Sequence, residues 1–254
     1  MTQHLVPRAN PGTIGLMGHV IADYPNRSAA LDVVQAMINS GVALIEIQIP
    51  FSEPIADGPV LMAANHLALN SGVNLARAFE FAKLVSARTT APVVFMTYVN
   101  VPWKYGWQRF VDESTSSGVR GAIVPDLPFE HSSEFDSVCD TARFANIRVV
   151  APNTSDARLA RIADVARGMI YATARAGVTG SKTTISGDLS RYVARIRTVS
   201  ELPVAVGFGI SSPDDVRALK GVADLAVVGS QTFRALASGG VPAVAALWQS
   251  LARA

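Results

Sequence analysis

Eight short β-branched runs, each followed by a longer segment with apolar residues at helical spacing, fill a chain of 254 residues, and no Pro/Ser-rich linker or shift in composition divides it. These observations predict an α/β fold, a single (β/α)8 TIM barrel that takes up residues 1–254 as one domain. A doubly wound open sheet is the main alternative, but it usually has fewer strands or a second domain. The βα period of roughly 25 to 30 residues is the only repeat.

The first strand is read at 15–21, with Asp23-Tyr24-Pro25-Asn26 as a turn. Leu31, Val34, Met37 and Ile38 then recur at helical spacing over 29–40, with Ser28 as the N-cap and Gly41 as the stop. The second strand, 42–49, alternates: Ile45, Ile47 and Ile49 on one face, Leu44, Glu46 and Gln48 on the other. A helix at 60–70 comes next, and another at 74–86. Strands follow at 93–98, 121–125, 148–151, 169–173, 203–206 and 225–228. Helices are read at 107–117, 132–145, 155–167, 190–200, 213–219 and 241–252.

Composition narrows the function classes. The charged fraction is 17%, below the ~25% of ordinary globular chains, and disorder is excluded as the main state. The mean hydropathy of +0.28 raises the question of a membrane, but no stretch reaches the roughly 18 uninterrupted apolar residues of a spanning helix. No apolar run leads from Met1 to a small-residue cleavage site, so no signal peptide is expected. Cys139 is the only cysteine, which suits a reducing compartment. Lys+Arg 22 against Asp+Glu 20, with the basic residues scattered, argues against a nucleic-acid partner. The expectation is a soluble, cytoplasmic protein.

In a barrel of this kind, functional groups gather where strands end and in the loops that follow. Glu46 lies in an otherwise apolar strand. If the isoleucines pack against the helices, Glu46 points into the barrel, where an ionised carboxylate is costly without a partner. General acid–base work and a structural ion pair are equally open readings of it. Asp57 follows on a loop stiffened by three prolines and a glycine. It either caps the next helix or shares a pocket with Glu46, where two carboxyls in different surroundings can hold different protonation states. Glycine-bearing segments after strands six, seven and eight, at 176–180, 207–213 and 228–231, suit a phosphate cradle. Helices starting at Ser211 and Gly229 would aim their positive ends at the anion. His4, His19, His66 and His131 have no metal-ligand spacing, so no metal is expected. Gly180-Ser-Lys lacks the upstream glycine and strand of a P-loop. The Trp103, Tyr105 and Trp107 cluster reads as packing.

The run Ile45-Glu-Ile-Gln-Ile-Pro-Phe-Ser-Glu-Pro-Ile-Ala-Asp-Gly-Pro59 resembles the signature of the tryptophan synthase α subunit family. Tyr98-Val-Asn100, Pro125-Asp-Leu-Pro128, Arg175-Ala-Gly-Val-Thr-Gly180, Val206-Gly-Phe-Gly-Ile-Ser-Ser-Pro213 and Val228-Gly-Ser230 support it, in family order. The resemblance implies aldol cleavage of indole-3-glycerol phosphate to indole and glyceraldehyde 3-phosphate. It implies Glu46 as general acid/base, Asp57 as partner of the indole N–H, and Tyr171 beside the glutamate. Gly180, Gly209, Gly229 and Ser230 match phosphate-binding positions, Thr179 lies on a mobile loop, and Phe208 lines the indole pocket. No cofactor is implied in this chain; pyridoxal phosphate belongs to a β subunit partner, in an αββα assembly that channels indole. The loop at 50–59, the segment around Pro128 and the mobile loop match its contact regions. A stand-alone lyase, or a weakly catalytic allosteric activator of a β-type partner, stays open beside this reading.

Five positions depart from the family pattern: Gln48 and Asp23 stand where glycine is usual, His19 where phenylalanine is, Met62 where glutamine is, and Glu53 where aspartate is. Gln48 is expected either to hydrogen-bond Glu46 or to crowd the pocket. Together they mark a divergent member.

Overall fold

A computed structural model describes residues 4–10, 12–173, 187–207 and 209–254. Eight parallel strands close into a barrel in sequence order: β1 Gly15–Ile21, β2 Leu44–Gln48, β3 Val93–Met96, β4 Val119–Ile123, β5 Ala145–Val150, β6 Ile170–Thr173, β7 Val204–Gly207 and β8 Leu225–Val228. The seam is made where Gly15 pairs with Leu225 and Leu16 with Ala226. The outer ring is α1 Arg27–Asn39, α2 Pro59–Asn70, α3 Leu75–Ser86, α4 Asn100–Tyr105, α5 Trp107–Ser116, α6 Ser133–Ala142, α7 Asp156–Val165, α8 Gly187–Arg197, α9 Pro213–Leu219 and α10 Ser230–Ala252.

The period-2 pattern of the strands divides the core in two. Ile45, Ile47 and Ile49 join the shell between strands and helices, whereas Leu44 joins the interior with Met17, Val94, Met96, Ile123, Ile147, Ala205, Leu225 and Val227. Each of these side chains larger than alanine, fully buried, contributes about 1.5–3 kcal/mol. Leu5 and Val6 pack against the same inner cluster, and the Leu5 N–H donates to the Gly168 carbonyl at 3.1 Å. The N-terminal segment therefore covers the end of the barrel where the strands begin, and any ligand must enter from the other end.

Local chemistry explains where the boundaries differ from the sequence reading. Asn26, not Ser28, caps α1: its side chain accepts from the Ala29 N–H, so the helix starts two residues earlier. The helix read at 132–145 stops at Ala142, because Arg143 turns left-handed (φ 53°) and the chain enters β5 at Ala145. Asp23, at the usual glycine position, also has a left-handed backbone (φ 55°), which a short polar side chain tolerates. It is held there by Arg27 at 3.0 Å and Arg77 at 3.1 Å.

The last helix begins eleven residues before the expected 241–252 segment. It is long and apolar enough for a membrane span by length and composition. Gly239 and Gly240 nevertheless leave helical geometry inside it, and Val244, Trp248 and Leu251 are buried in the core. Gly18 on β1 makes room for that packing: a Cβ there would lie 2.6 Å from Met37 Sδ and 3.0 Å from the Trp248 ring. The aromatic cluster after β3 is split by its own structure. Trp107 packs on Phe135 at 4.9 Å between ring centroids, but Trp103, on the unanticipated α4, is 66% exposed.

Candidate active site

Parallel register sets the site. His19 on β1 is the Cα partner of Glu46 on β2, and Ile21 of Gln48, so His19, Glu46 and Gln48 project from adjoining strands into the barrel. All three are buried. Glu46 faces inward, as the alternation of β2 predicts. Asp57 is also buried, at the loop before α2. The residue that caps α2 is Gly58, with Pro59 beginning the helix. Asp57 is thereby freed from the capping role and turns towards the barrel mouth.

The four polar side chains form one chain of contacts. His19 Nδ1 lies 3.1 Å from Glu46 Oε2. His19 Nε2 meets Gln48 Oε1 at 2.9 Å, and Gln48 Nε2 donates to Asp57 Oδ2 at 2.6 Å. Gln48 thus bonds Asp57 and His19, and the alternative in which it hydrogen-bonds Glu46 is not the one formed. Asn65 Nδ2 lies 3.3 Å from the same Asp57 oxygen, and the Tyr98 hydroxyl donates to Asp57 while accepting from the Ala56 N–H. Phe51 stacks on Tyr98 at 5.2 Å and closes this side. Glu46 Oε2, in contrast, is buried with no donor among the described residues beyond the His19 Nδ1 contact at 3.1 Å. A buried, under-satisfied carboxylate oxygen is costly unless it has work to do.

Electrostatics follow from burial and neighbours. Burial raises the Asp57 carboxyl above the usual range, while the Gln48 bond and the field of His19 pull it partly back. His19 is raised instead: burial alone would lower it, but Glu46 and Asp57 together overcome that. Tyr171 is pushed well above its ordinary value by burial and then by both carboxylates, and stays a neutral phenol. Its hydroxyl lies 2.7 Å from where a Cβ on Gly207 would be, so only glycine fits opposite it. Sequence reasoning assigned Glu46, Asp57 and Tyr171 to one centre, and the electrostatic reach of both carboxylates to Tyr171 agrees with that grouping. It left out Asn65, named His19 only as a departure from the family pattern, and did not foresee that Gln48 would link His19 to Asp57. A polar residue on the inward face of a barrel strand was the signal that could have found those two.

The anion cradle needs one correction. The N–H and hydroxyl groups of Ser211 and Ser212 all bond Asp215 Oδ2, between 2.9 and 3.0 Å. The start of α9 is therefore neutralised by its own capping box and does not present a positive end. No side chain caps α10 at Gly229, and its first turn carries no acidic residue. Gly229 adjoins the acid–base centre, since a Cβ on it would lie 4.0 Å from His19 Cβ. Gly209 has a left-handed backbone (φ 70°) and is exposed after β7. Ser230 opens α10. Thr179, Gly180 and Phe208 lie outside the described residues.

The sequence pattern of the family described as "Tryptophan synthase alpha chain" matches residues 8–249. A tryptophan synthase alpha chain from Syntrophotalea carbinolica is 46% identical over 236 residues, covering 93% of each chain. One from Desulforapulum autotrophicum is 42% identical over 237 residues, covering 93% of this chain and 94% of that one. Among solved structures, tryptophan synthase from Mycobacterium tuberculosis superposes with a TM-score of 0.89 at 31% identity, over 95% of this chain and 92% of that one. A tryptophan synthase complex from Pyrococcus furiosus gives a TM-score of 0.85 at 30% identity, over 94% and 98%.

Proposed function

The chain belongs to the tryptophan synthase alpha chain family, and from that premise we propose how its own residues carry out the family's reaction. The activity is that of a carbon–carbon lyase, the aldol cleavage of indole-3-glycerol phosphate in tryptophan biosynthesis.

Glu46, protonated, delivers its proton to indole C3. This makes the ring an iminium and sets up departure of the side chain. Asp57 accepts a hydrogen bond from the indole N–H, whose acidity grows as positive charge develops there. The glycerol hydroxyl on the carbon next to C3 then gives up its proton to the Glu46 carboxylate. Its oxygen forms the aldehyde carbonyl as the C–C bond breaks, and the bonding pair returns to the ring to restore indole. One proton is lent and one returned, so the site ends as it began. Tyr171, a neutral phenol, borders both carboxylates and offers a donor that does not titrate. The phosphate docks on Gly209 and on the N–H groups opening α10 at Gly229 and Ser230; Phe208, Thr179 and Gly180 are assigned to substrate binding by the family resemblance alone. The steps use side-chain acid–base chemistry and assign no cofactor to this chain.

The observation that carries this reading is the pairing of two buried carboxyls, Glu46 and Asp57, at the end of the barrel left open by the N-terminal plug. We also assign this chain a β subunit partner, which would hold the pyridoxal phosphate. The loop at 50–59 supports an interface: Ile55 is 69% exposed between the buried Pro54 and Asp57. The test is steady-state cleavage of indole-3-glycerol phosphate by the full chain, with and without a β subunit. Turnover that rises with the β subunit supports the assignment. Full turnover alone makes the chain a stand-alone lyase, and none in either case overturns the catalytic reading.

A further inference from the structure

His19 and Gln48, which stand where the family usually has phenylalanine and glycine, bridge the two carboxyls through one line of contacts. The bonding capacity of each group fixes the direction of that line. Asp57, as a carboxylate, only accepts, so the Gln48 amide must turn its NH2 towards it, at 2.6 Å. Gln48 Oε1 therefore faces His19, and it too only accepts, so His19 Nε2 must carry a hydrogen at the 2.9 Å contact. One ring nitrogen is left undecided. Nδ1, 3.1 Å from Glu46 Oε2, either donates to a carboxylate or accepts from a carboxylic acid. Gln48, locked by Asp57, has settled the tautomer of His19 and aimed its other nitrogen at the acid.

We propose that His19 is a positioning residue that shares a single proton with Glu46 through Nδ1, so that the pair holds the proton used in C–C cleavage. The inference rests on the reaction assigned above. Before turnover the proton resides on the pair; Glu46 passes it to indole C3; the glycerol hydroxyl proton returns to Glu46 or, through it, to His19 Nδ1. The pair gains and loses no net proton. Among the described residues, the charged groups that act on the ring are Glu46 on β2 and Asp57 on the following loop. Gln48, Gly229 and the Phe233 ring, 5.8 Å away on α10, are uncharged neighbours. Tyr171 faces the carboxylates as a neutral phenol. The two carboxylates hold His19 protonated to higher pH than an ordinary imidazole. The one-proton state of the pair therefore extends into the alkaline range as far as the raised His19 carries it.

The first test needs no substrate. The full-length chain is labelled with 15N-histidine and its ring nitrogens are followed by NMR from about pH 5 to about pH 9. The chain holds four histidines, and His19→Gln identifies the signal. The expected result is that Nε2 of His19 stays protonated throughout, while Nδ1 titrates above the ordinary ~6.5. Glu46→Gln should lower that midpoint. A ring that loses its proton from Nε2, or a midpoint that ignores Glu46→Gln, overturns the proposal. The second test is kinetic. His19→Gln, which keeps an amide in the space but holds no proton, should cut kcat by about 10- to 100-fold with KM changed less than about threefold. The alkaline limb of kcat should move to lower pH. A fall in kcat with an unmoved limb would make His19 a packing residue only. If the native chain fails to cleave indole-3-glycerol phosphate, the assigned function fails, while the NMR result still decides whether the proton is shared.

Discussion

Glu46 and Gly207 show how much rests on single side chains at the barrel mouth. Glu46→Gln keeps shape and hydrogen bonding but removes the proton that C3 must receive. Turnover should fall by about 1,000-fold or more, while binding of glycerol phosphate stays within about twofold of native. Stopped-assay kinetics and calorimetry read the two quantities separately, and near-native turnover would remove Glu46 from the chemistry. Gly207→Ala would set a methyl group 2.7 Å from the Tyr171 hydroxyl and 3.0 Å from its ring. The ring must then tilt, at a cost of about 1–3 kcal/mol in stability. Thermal unfolding checks the stability loss, and a fall in kcat checks the displacement of the phenol. Glu46 was legible from the sequence because a carboxylate in a run of isoleucines has only one costly place to go. The His19–Gln48 bridge was not. The two side chains are 29 positions apart, and only the register of β1 on β2 brings them together.

At the scale of elements, two helix starts after β7 and β8 look alike in sequence and behave differently. Both follow glycine-bearing turns. Asp215 occupies the N–H groups that open α9, whereas nothing acidic lies in the first turn of α10. Gly209→Asp should therefore weaken glycerol phosphate binding by about tenfold or more, because it sets a negative charge in the cradle. Asp215→Ala should leave that affinity unweakened and instead destabilise the chain by about 1 kcal/mol through the lost cap. Titration calorimetry and denaturant unfolding separate the two outcomes; weaker binding in Asp215→Ala would move the anion to α9. The cap also has a pH signature. Burial would raise Asp215, but the four bonds from Ser211 and Ser212 outweigh it and hold the carboxyl below its ordinary value. Its contribution to stability is complete above the unfolded-state value of ~4 and is lost as pH falls through the lowered folded one. The stability gap between native and Asp215→Ala should shrink in that window.

For the whole molecule, closure of the barrel depends on groups far from the chemistry. Asp224, buried just before β8, accepts from the Ala9 N–H at 2.9 Å and the Val204 N–H at 2.8 Å, and pairs with Arg197 at 3.2 Å. One carboxylate thus ties the N-terminal segment, β7 and α8 to the final strand. Asp224→Ala would leave those donors and a partly buried guanidinium without this acceptor, at about 2–3 kcal/mol. For a chain of this size that is a fall in Tm of roughly 5–10 °C, to be measured by calorimetry. An unchanged Tm would show that the barrel closes without the clamp. The same buried carboxylate is invisible as a structural tie in sequence, since its partners lie 20 to 215 positions away.

By itself the sequence determined the eight strands and the alternation of strand and helix, though not α4, the inward face of β2, and the family to which the chain belongs. All of these are periodic or contiguous signals, written in neighbouring residues. Tertiary structure alone decided which nitrogen of His19 meets Glu46, and that Asp57 turns to Gln48 and Asn65 instead of capping α2. These depend on how side chains of different strands, loops and helices meet, which no periodic or contiguous pattern specifies before the barrel has closed.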